Sequence, residues 1–527
     1  MQGNPFRIAI ISALSLFIVF SLYFRFFNLG LKPYWDDEAR AMLWLSGKTE
    51  RDLHARLCSG VITRSSEVQS YQKISSDCGP IETITSLSTT SPQHGPLYYV
   101  CARLWAGIFG DSLVPVRSFG AVLSVLQVPA AAWLAFELFG CPVTAFFAAL
   151  IFATSPFHYM YAQTIREYSA WTLLLLLSNI ALLKALRSED RAPWILYGIS
   201  MIACLYTFTS SIAVAAGHAI YVAWHERFNL TRKGKNFVVA SIAALAMFAP
   251  WLCLIASRGE TISTRCAWLA TPTGIQKLIT TWPLNFSHIF LDVSPDFPDP
   301  AQIWLVFTLV SFEIYCFFLL MKKKPKAWIF LVAFAGVSCA VLVIPDLLFG
   351  GMRSLVLRYS TPAIVALQLM VAFALAYFWK RDKGKILSAT ITTVLIGISL
   401  WSCWSFSNSN SWWSKPICYK ITALLRAHSK FPDAAVLVNL DDFQDEVMLL
   451  ILSTAVKGDI EMLGVEKSNL PDASKIAHRR ILVFNTFDLK GRPLFLERLK
   501  TLATHQTITQ DAQGDIILLE PATKSPL

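Results

Sequence analysis

Long apolar runs alternate with short basic or polar tracts as far as Cys403, and the pattern then changes. Runs at 8–27, 114–138, 142–154, 168–186, 194–208, 212–224, 237–256, 303–320, 327–343, 361–379 and 386–403 predict about eleven membrane-spanning helices, the first of them retained as a span. Between the first two runs lies a stretch, 28–93, that is too polar to cross a bilayer. It carries Cys58 and Cys78, a candidate pair in an oxidising compartment. The apolar piece that follows, 96–109, is short and has Arg103 in its middle, which predicts an amphipathic helix lying in the interface. A second polar loop covers 257–300.

From Trp412 the long runs give way to short ones. Segments 435–438, 481–484 and 515–519 predict strands, and 445–456 and 494–502 predict helices. The expectation is an all-α polytopic membrane domain over 1–405, with 28–110 as its first loop, followed by a small α/β domain over 406–527. No glycine-rich phosphate loop or nucleophile motif occurs in this tail, and its acidic group Asp441, Asp442, Asp445 and Glu446 reads as a solvated turn.

Composition agrees with the membrane assignment. Of 527 residues 54% are hydrophobic and 15% charged, well below the roughly 25% charged of soluble domains. The net charge of +11 does not point to nucleic acid, because the basic excess lies in tracts between spans. Clusters at 184–191, 227–235, 322–326 and 380–385 fall on one side if the spans alternate, and the positive-inside rule makes that side cytoplasmic. The acidic stretch after the first span, the patch around Arg166, the loop 257–300, the turn 353–358 and the tail then share the opposite face. Eleven cysteines show no metal-ligand spacing.

That face collects two kinds of side chain. Carboxylates are Asp36, Asp37, Glu38 and Glu167; cationic or hydrogen-bonding groups are Arg40, His94, Arg166, Arg353, Arg358 and Tyr359. A carboxylate suits removal of a proton from a hydroxyl nucleophile. A guanidinium matches phosphate oxygens and stays charged. Each has a plainer reading: Arg40 paired with a neighbouring acid, His94 as a turn residue, Arg166–Glu167 as a local ion pair, Arg358–Tyr359 as an interfacial anchor. Their gathering on one face favours a hydroxyl acceptor and a lipid-phosphate leaving group.

The motifs that carry these residues resemble a known family. Trp35-Asp36-Asp37-Glu38-Ala39-Arg40, His94-Gly95-Pro96-Leu97-Tyr98-Tyr99, Phe109-Gly110-Asp111-Ser112 with Arg117, Ser155-Pro156 through Tyr161-Ala162-Gln163 and Arg166-Glu167-Tyr168, and Arg358-Tyr359-Ser360-Thr361-Pro362 stand in the order and spacing of polytopic GT-C glycosyltransferases. The chain is similar to the protein O-mannosyltransferase and lipid A aminoarabinose transferase superfamily over about 8–377. The resemblance implies a polyprenyl-phosphate sugar donor, an extracytoplasmic site and inversion at the anomeric carbon. It implies Asp37, with Glu38 beside it, as the catalytic carboxylate. It places Arg40, His94, Arg166, Glu167, Arg358 and Tyr359 at donor or substrate positions. His94-Gly95 stands where aminoarabinose transferases carry a lysine, which argues against that sugar. No second Asp-x-Asp lies near Arg166, so no metal is indicated, and a divalent cation is the one cofactor left open. The acceptor is a hydroxyl of a lipid, glycan or protein.

Two other classes compete. A transporter or flippase for a lipid-linked sugar would use the polar residues as a pathway, but no internal repeat is visible. A membrane scaffold would use the tail to hold a partner.

Overall fold

A computed structural model describes residues 5–58, 62–75, 77–292, 300–412, 415–440, 443–456, 458–465, 480–484, 504–511 and 514–520. The chain divides into two compact units. One comprises 1–29, 91–101 and 114–408; the other comprises 30–90, 102–113 and 409–527.

The first unit is helical and built for a membrane. Among the described residues seven helices are long and apolar enough to cross one: Leu113–Phe139, Tyr168–Arg187, Arg232–Ser257, Pro300–Lys323, Pro325–Phe349, Leu357–Trp379 and Asp382–Ser407. An eighth is reached if Pro142–Thr154 and Pro156–Ala162, bent by 53°, are one span. The other expected spans fall on Pro5–Phe24 and on helices of 16 and 15 residues, Ala192–Thr207 and Ser211–His225. The short pair is separated where Phe208 turns extended and bridges His94.

The bend has a local cause. Pro156 lacks an N–H and so leaves the carbonyl of Phe152 without its helical donor. The buried guanidinium of Arg25 supplies replacements, donating to Phe152 and Ala153 carbonyls at 2.7 Å each and to Ser124 Oγ at 2.9 Å. A cation just past the end of an apolar helix is thereby satisfied by the ends of a broken one. Gln163 treats the end of the first helix in the same way, donating to the Phe27 carbonyl at 2.8 Å. Close helix packing is visible at Gly217, where an added Cβ would lie 2.2 Å from the Ala333 carbonyl oxygen.

The second unit is α/β. Its six strands are β1 (Thr63–Arg64), β2 (Ala435–Asn439), β3 (Glu461–Val465), β4 (Ile481–Phe484), β5 (Thr504–Asp511) and β6 (Gly514–Glu520), in the sheet order β1-β3-β2-β4-β6-β5. β2 runs parallel to β3 and β4, and the remaining pairs are antiparallel. Val436, Leu437 and Val438 are buried, as an unbroken apolar run in a central strand requires. β2, β4 and β6 fall where the sequence predicts strands; β1, β3 and β5 carry no clear period-two pattern and are found only in the structure. The expected helix 494–502 and the acids Asp441 and Asp442 lie outside the described residues.

β1 comes from the first polar stretch, so that stretch and the tail build one sheet. Ser65 reinforces the join: its N–H donates to the Ile460 carbonyl at 2.8 Å and its hydroxyl accepts from the Ile460 N–H at 3.0 Å. The expected Cys58–Cys78 bond is not made; the Cys58 sulfur instead lies 3.6 Å from His54 Nε2. Helix Pro96–Phe109 has 14 residues, and its Arg103 donates to the carbonyls of Leu45 and Cys78, which explains a cation in an apolar segment.

Candidate active site

In the membrane unit the site begins with a clamp on the backbone. Trp251 Nε1 donates to the Pro92 carbonyl at 3.0 Å and Thr209 Oγ1 to that of Gln93 at 3.1 Å, while His94 bridges Phe208. Gly95 allows this approach, because a Cβ there would stand 2.1 Å from the Tyr206 carbonyl oxygen. Pro96 then opens the next helix at its first position. His94 is thus a turn residue by backbone, with its ring delivered to a defined place.

That place is Glu167. The fully buried carboxylate stands at the entry to helix Tyr168–Arg187. It accepts from Tyr99 Oη at 2.7 Å, meets His94 Nδ1 at 2.9 Å and pairs with Arg166 Nε at 3.2 Å. Burial raises its pKa, but the charges of Arg166 and His94 and the hydrogen bonds from His94 and Tyr99 outweigh burial and hold it at about 2. A carboxylate so engaged orients its cations.

Arg166 is itself buried, with its guanidinium 6.0 Å from the Tyr99 ring centroid and 5.8 Å from that of Tyr168. Arg358, half-buried in the turn 357–360, lies 6.0 Å from the same Tyr168 ring, 5.9 Å from Trp268 and 5.4 Å from Tyr359. Phe208 packs on both Tyr168 and Tyr359, at 5.9 Å between centroids in each case. The result is an aromatic cluster that keeps two guanidiniums close to one ring. The sequence points to Tyr99 and Tyr168 only through the tyrosines of the second and fourth motifs, and carries no sign of Phe208 and Trp268. Arg353 is placed otherwise: it pairs with Asp346 at 3.0 Å and serves the turn after helix Pro325–Phe349.

In the α/β unit the acidic stretch opens helix Asp36–Ser46, which ends at Gly47 in the left-handed conformation (φ 75°). Negative charge in a first helical turn is favoured by the helix dipole. The buried Glu38 carboxylate accepts from the Trp35 N–H at 3.3 Å and so caps the helix. Asp37 and Asp36 are half-buried. Arg40 is buried, with the Glu50 carboxylate 3.2 Å and the Asp36 carboxylate 3.8 Å from its guanidinium. Arg40 thus serves this helix, and Arg166 and Arg358 are the arginines gathered around aromatic rings. Among the described residues no three of His, Cys, Asp and Glu come together as a metal site.

The fold is that of an integral, multi-pass membrane protein of the GT-C architecture. Residues 93–254 match the family model for dolichyl-phosphate-mannose-protein mannosyltransferase. The chain is similar in fold to crystal structures of ArnT from Cupriavidus metallidurans. In the complex with undecaprenyl phosphate the TM-score is 0.55 at 11% identity, covering 98% of this chain and 99% of that one. In the apo state it is 0.56 at 10% identity, with the same coverage. No curated protein sequence matches the chain. The chain is a polytopic GT-C protein resembling the protein O-mannosyltransferase and lipid A aminoarabinose transferase superfamily.

Proposed function

We propose that the protein transfers a monosaccharide from a polyprenyl-phosphate donor to a hydroxyl acceptor on the extracytoplasmic face, with inversion. The observation that carries this reading is the pair of arginines on Tyr168, one of them locked by Glu167, His94 and Tyr99. Two fixed guanidiniums with one internal carboxylate leave net positive charge, which suits a phosphate leaving group. The ArnT structure that this fold resembles is bound to undecaprenyl phosphate, which supports a lipid phosphate as the ligand.

In this mechanism the Asp37 carboxylate accepts the proton of the acceptor hydroxyl as that oxygen bonds to the anomeric carbon. The bond from carbon to phosphate oxygen breaks on the opposite side, which inverts the centre, and its electron pair leaves with the polyprenyl phosphate. Arg166 and Arg358 balance the charge that grows on the phosphate. Glu38 stays with the helix cap and Tyr359 with the Arg358 stack.

The test is reconstitution of the purified protein in vesicles with labelled dolichyl-phosphate and undecaprenyl-phosphate monosaccharides and an envelope extract as acceptor source. Release of polyprenyl phosphate with label moved to acceptor is the expected result. Donor that crosses the bilayer uncleaved would establish a carrier instead, and donor left intact on both faces would refute the transferase.

A further inference from the structure

The tail domain has no part in the chemistry just described, yet its one long described helix beyond β2, Phe443–Ala455, packs on helices Asp36–Ser46, Glu50–Leu57 and Ser65–Ser70 of the same unit. Glu446, in its first turn, is buried and forms an ion pair with His54 Nδ1. His54 stands one turn after Glu50, and Glu50 pairs with Arg40. Arg40 in turn reaches Asp36, next to the candidate base. Glu446 lies close enough to Glu50 and Arg40 for both charges to act on its carboxyl. Charged groups therefore run from the tail through two helices of the first loop to the turn that carries Asp37.

We propose that Glu446 is a positioning residue for the base: with His54 it anchors the Glu50–Arg40 pair and thereby fixes the orientation of the first turn of helix Asp36–Ser46. This rests on the reading of Asp37 as the base. A buried carboxylate is costly to keep without partners, so its retention against an imidazole and a guanidinium signals a constraint that apolar packing would not supply. Burial and the Glu50 charge raise the Glu446 carboxyl while His54 and Arg40 lower it, so the four groups act on one another. An apolar contact can slide along a helix face, whereas two ion pairs made by one helix, Glu50–Arg40 and His54–Glu446, select one register and one rotation. The tail then acts as a brace for the reacting carboxylate.

The experiment compares Glu446→Gln, Glu446→Asp and Ile451→Val in the full chain, in nanodiscs, with whichever labelled polyprenyl-phosphate sugar the wild type consumes. Ile451 is a buried packing residue of the same helix and serves as control. Glu446→Gln is expected to lower kcat roughly 10- to 100-fold, because misplacement of a reacting group by up to about 1 Å has effects of that size. Donor KM stays within about twofold, since donor binding is untouched. Glu446→Asp recovers part of kcat. Hydrogen exchange of peptides covering 36–46 rises about tenfold in Glu446→Gln and stays near wild type in Ile451→Val. Unchanged kcat and exchange in Glu446→Gln, or equal changes in Ile451→Val, would overturn the proposal. If the wild type consumes no donor, the transferase reading fails by itself and the exchange measurement still decides whether Glu446 orders that helix.

Discussion

Arg166 and Arg358, nearly two hundred positions apart in the chain, hold their guanidiniums 5.8 and 6.0 Å from the centroid of the same ring, Tyr168. Like charges gather this way only when something offsets their repulsion. Here the ring face and the Glu167 carboxylate do so without using up the net positive charge. In the proposed function this net charge is what receives the donor phosphate.

Replacing either arginine should therefore weaken donor use. Arg358→Ala should raise donor KM about tenfold, the equivalent of one charge-assisted contact. Arg166→Lys keeps the charge but loses the planar fork and should have a similar effect. Steady-state kinetics against donor concentration would check both, and an unchanged KM in the two variants would remove the phosphate assignment.

Asp37→Asn should lower kcat by roughly 100-fold or more, as loss of a general base does. Glu38→Gln should leave most of the activity and reduce stability by about 1 kcal/mol, the scale of a helix cap. Parallel turnover and thermal-melt measurements separate the two carboxylates, and the reverse outcome would move the base to Glu38.

The Glu167 cluster predicts a pH dependence of definite sign. Its folded pKa, about 2, lies below the ordinary 4.5. The stabilisation is therefore complete above about pH 4.5 and is lost as pH falls toward 2, with a size of about 3 kcal/mol at 1.36 kcal/mol per unit. The wild type should lose melting temperature across that window more steeply than Glu167→Gln. A parallel fall in both would show that Glu167 is not the group responsible.

Arg25→Ala should destabilise the membrane unit by about 3 kcal/mol or more, because it strips donors from two buried carbonyls at the helix bend. Chemical denaturation in mild detergent would measure it.

Gly95→Ala should misplace His94, since the new methyl would meet the Tyr206 carbonyl. About 1–3 kcal/mol of strain is the expected scale. A melt unchanged from wild type would show that the clamp is loose.

By itself the sequence determined the class and most of the elements. A bilayer demands long apolar helices, and runs such as 361–379 can satisfy that demand in no other way, so their order is legible from hydropathy. Of the about eleven expected spans, seven or eight are long and apolar enough to cross among the described residues. The sequence also marked out the residues on which the proposed chemistry rests, because Asp37, His94, Arg166 and Arg358 stand in motifs whose charge is anomalous beside a membrane. Partnership was decided only in three dimensions. Arg40, Arg166 and Arg358 look alike in one dimension, yet one lies against Glu50 and Asp36 while the other two are gathered on Tyr168. The sheet edge at Thr63–Arg64, two residues with no pattern to read, exists only because β3 lies beside it. Periodicity records which face of an element is apolar. It carries no record of which distant element arrives to meet a charge, and that meeting decides whether the charge serves structure or chemistry.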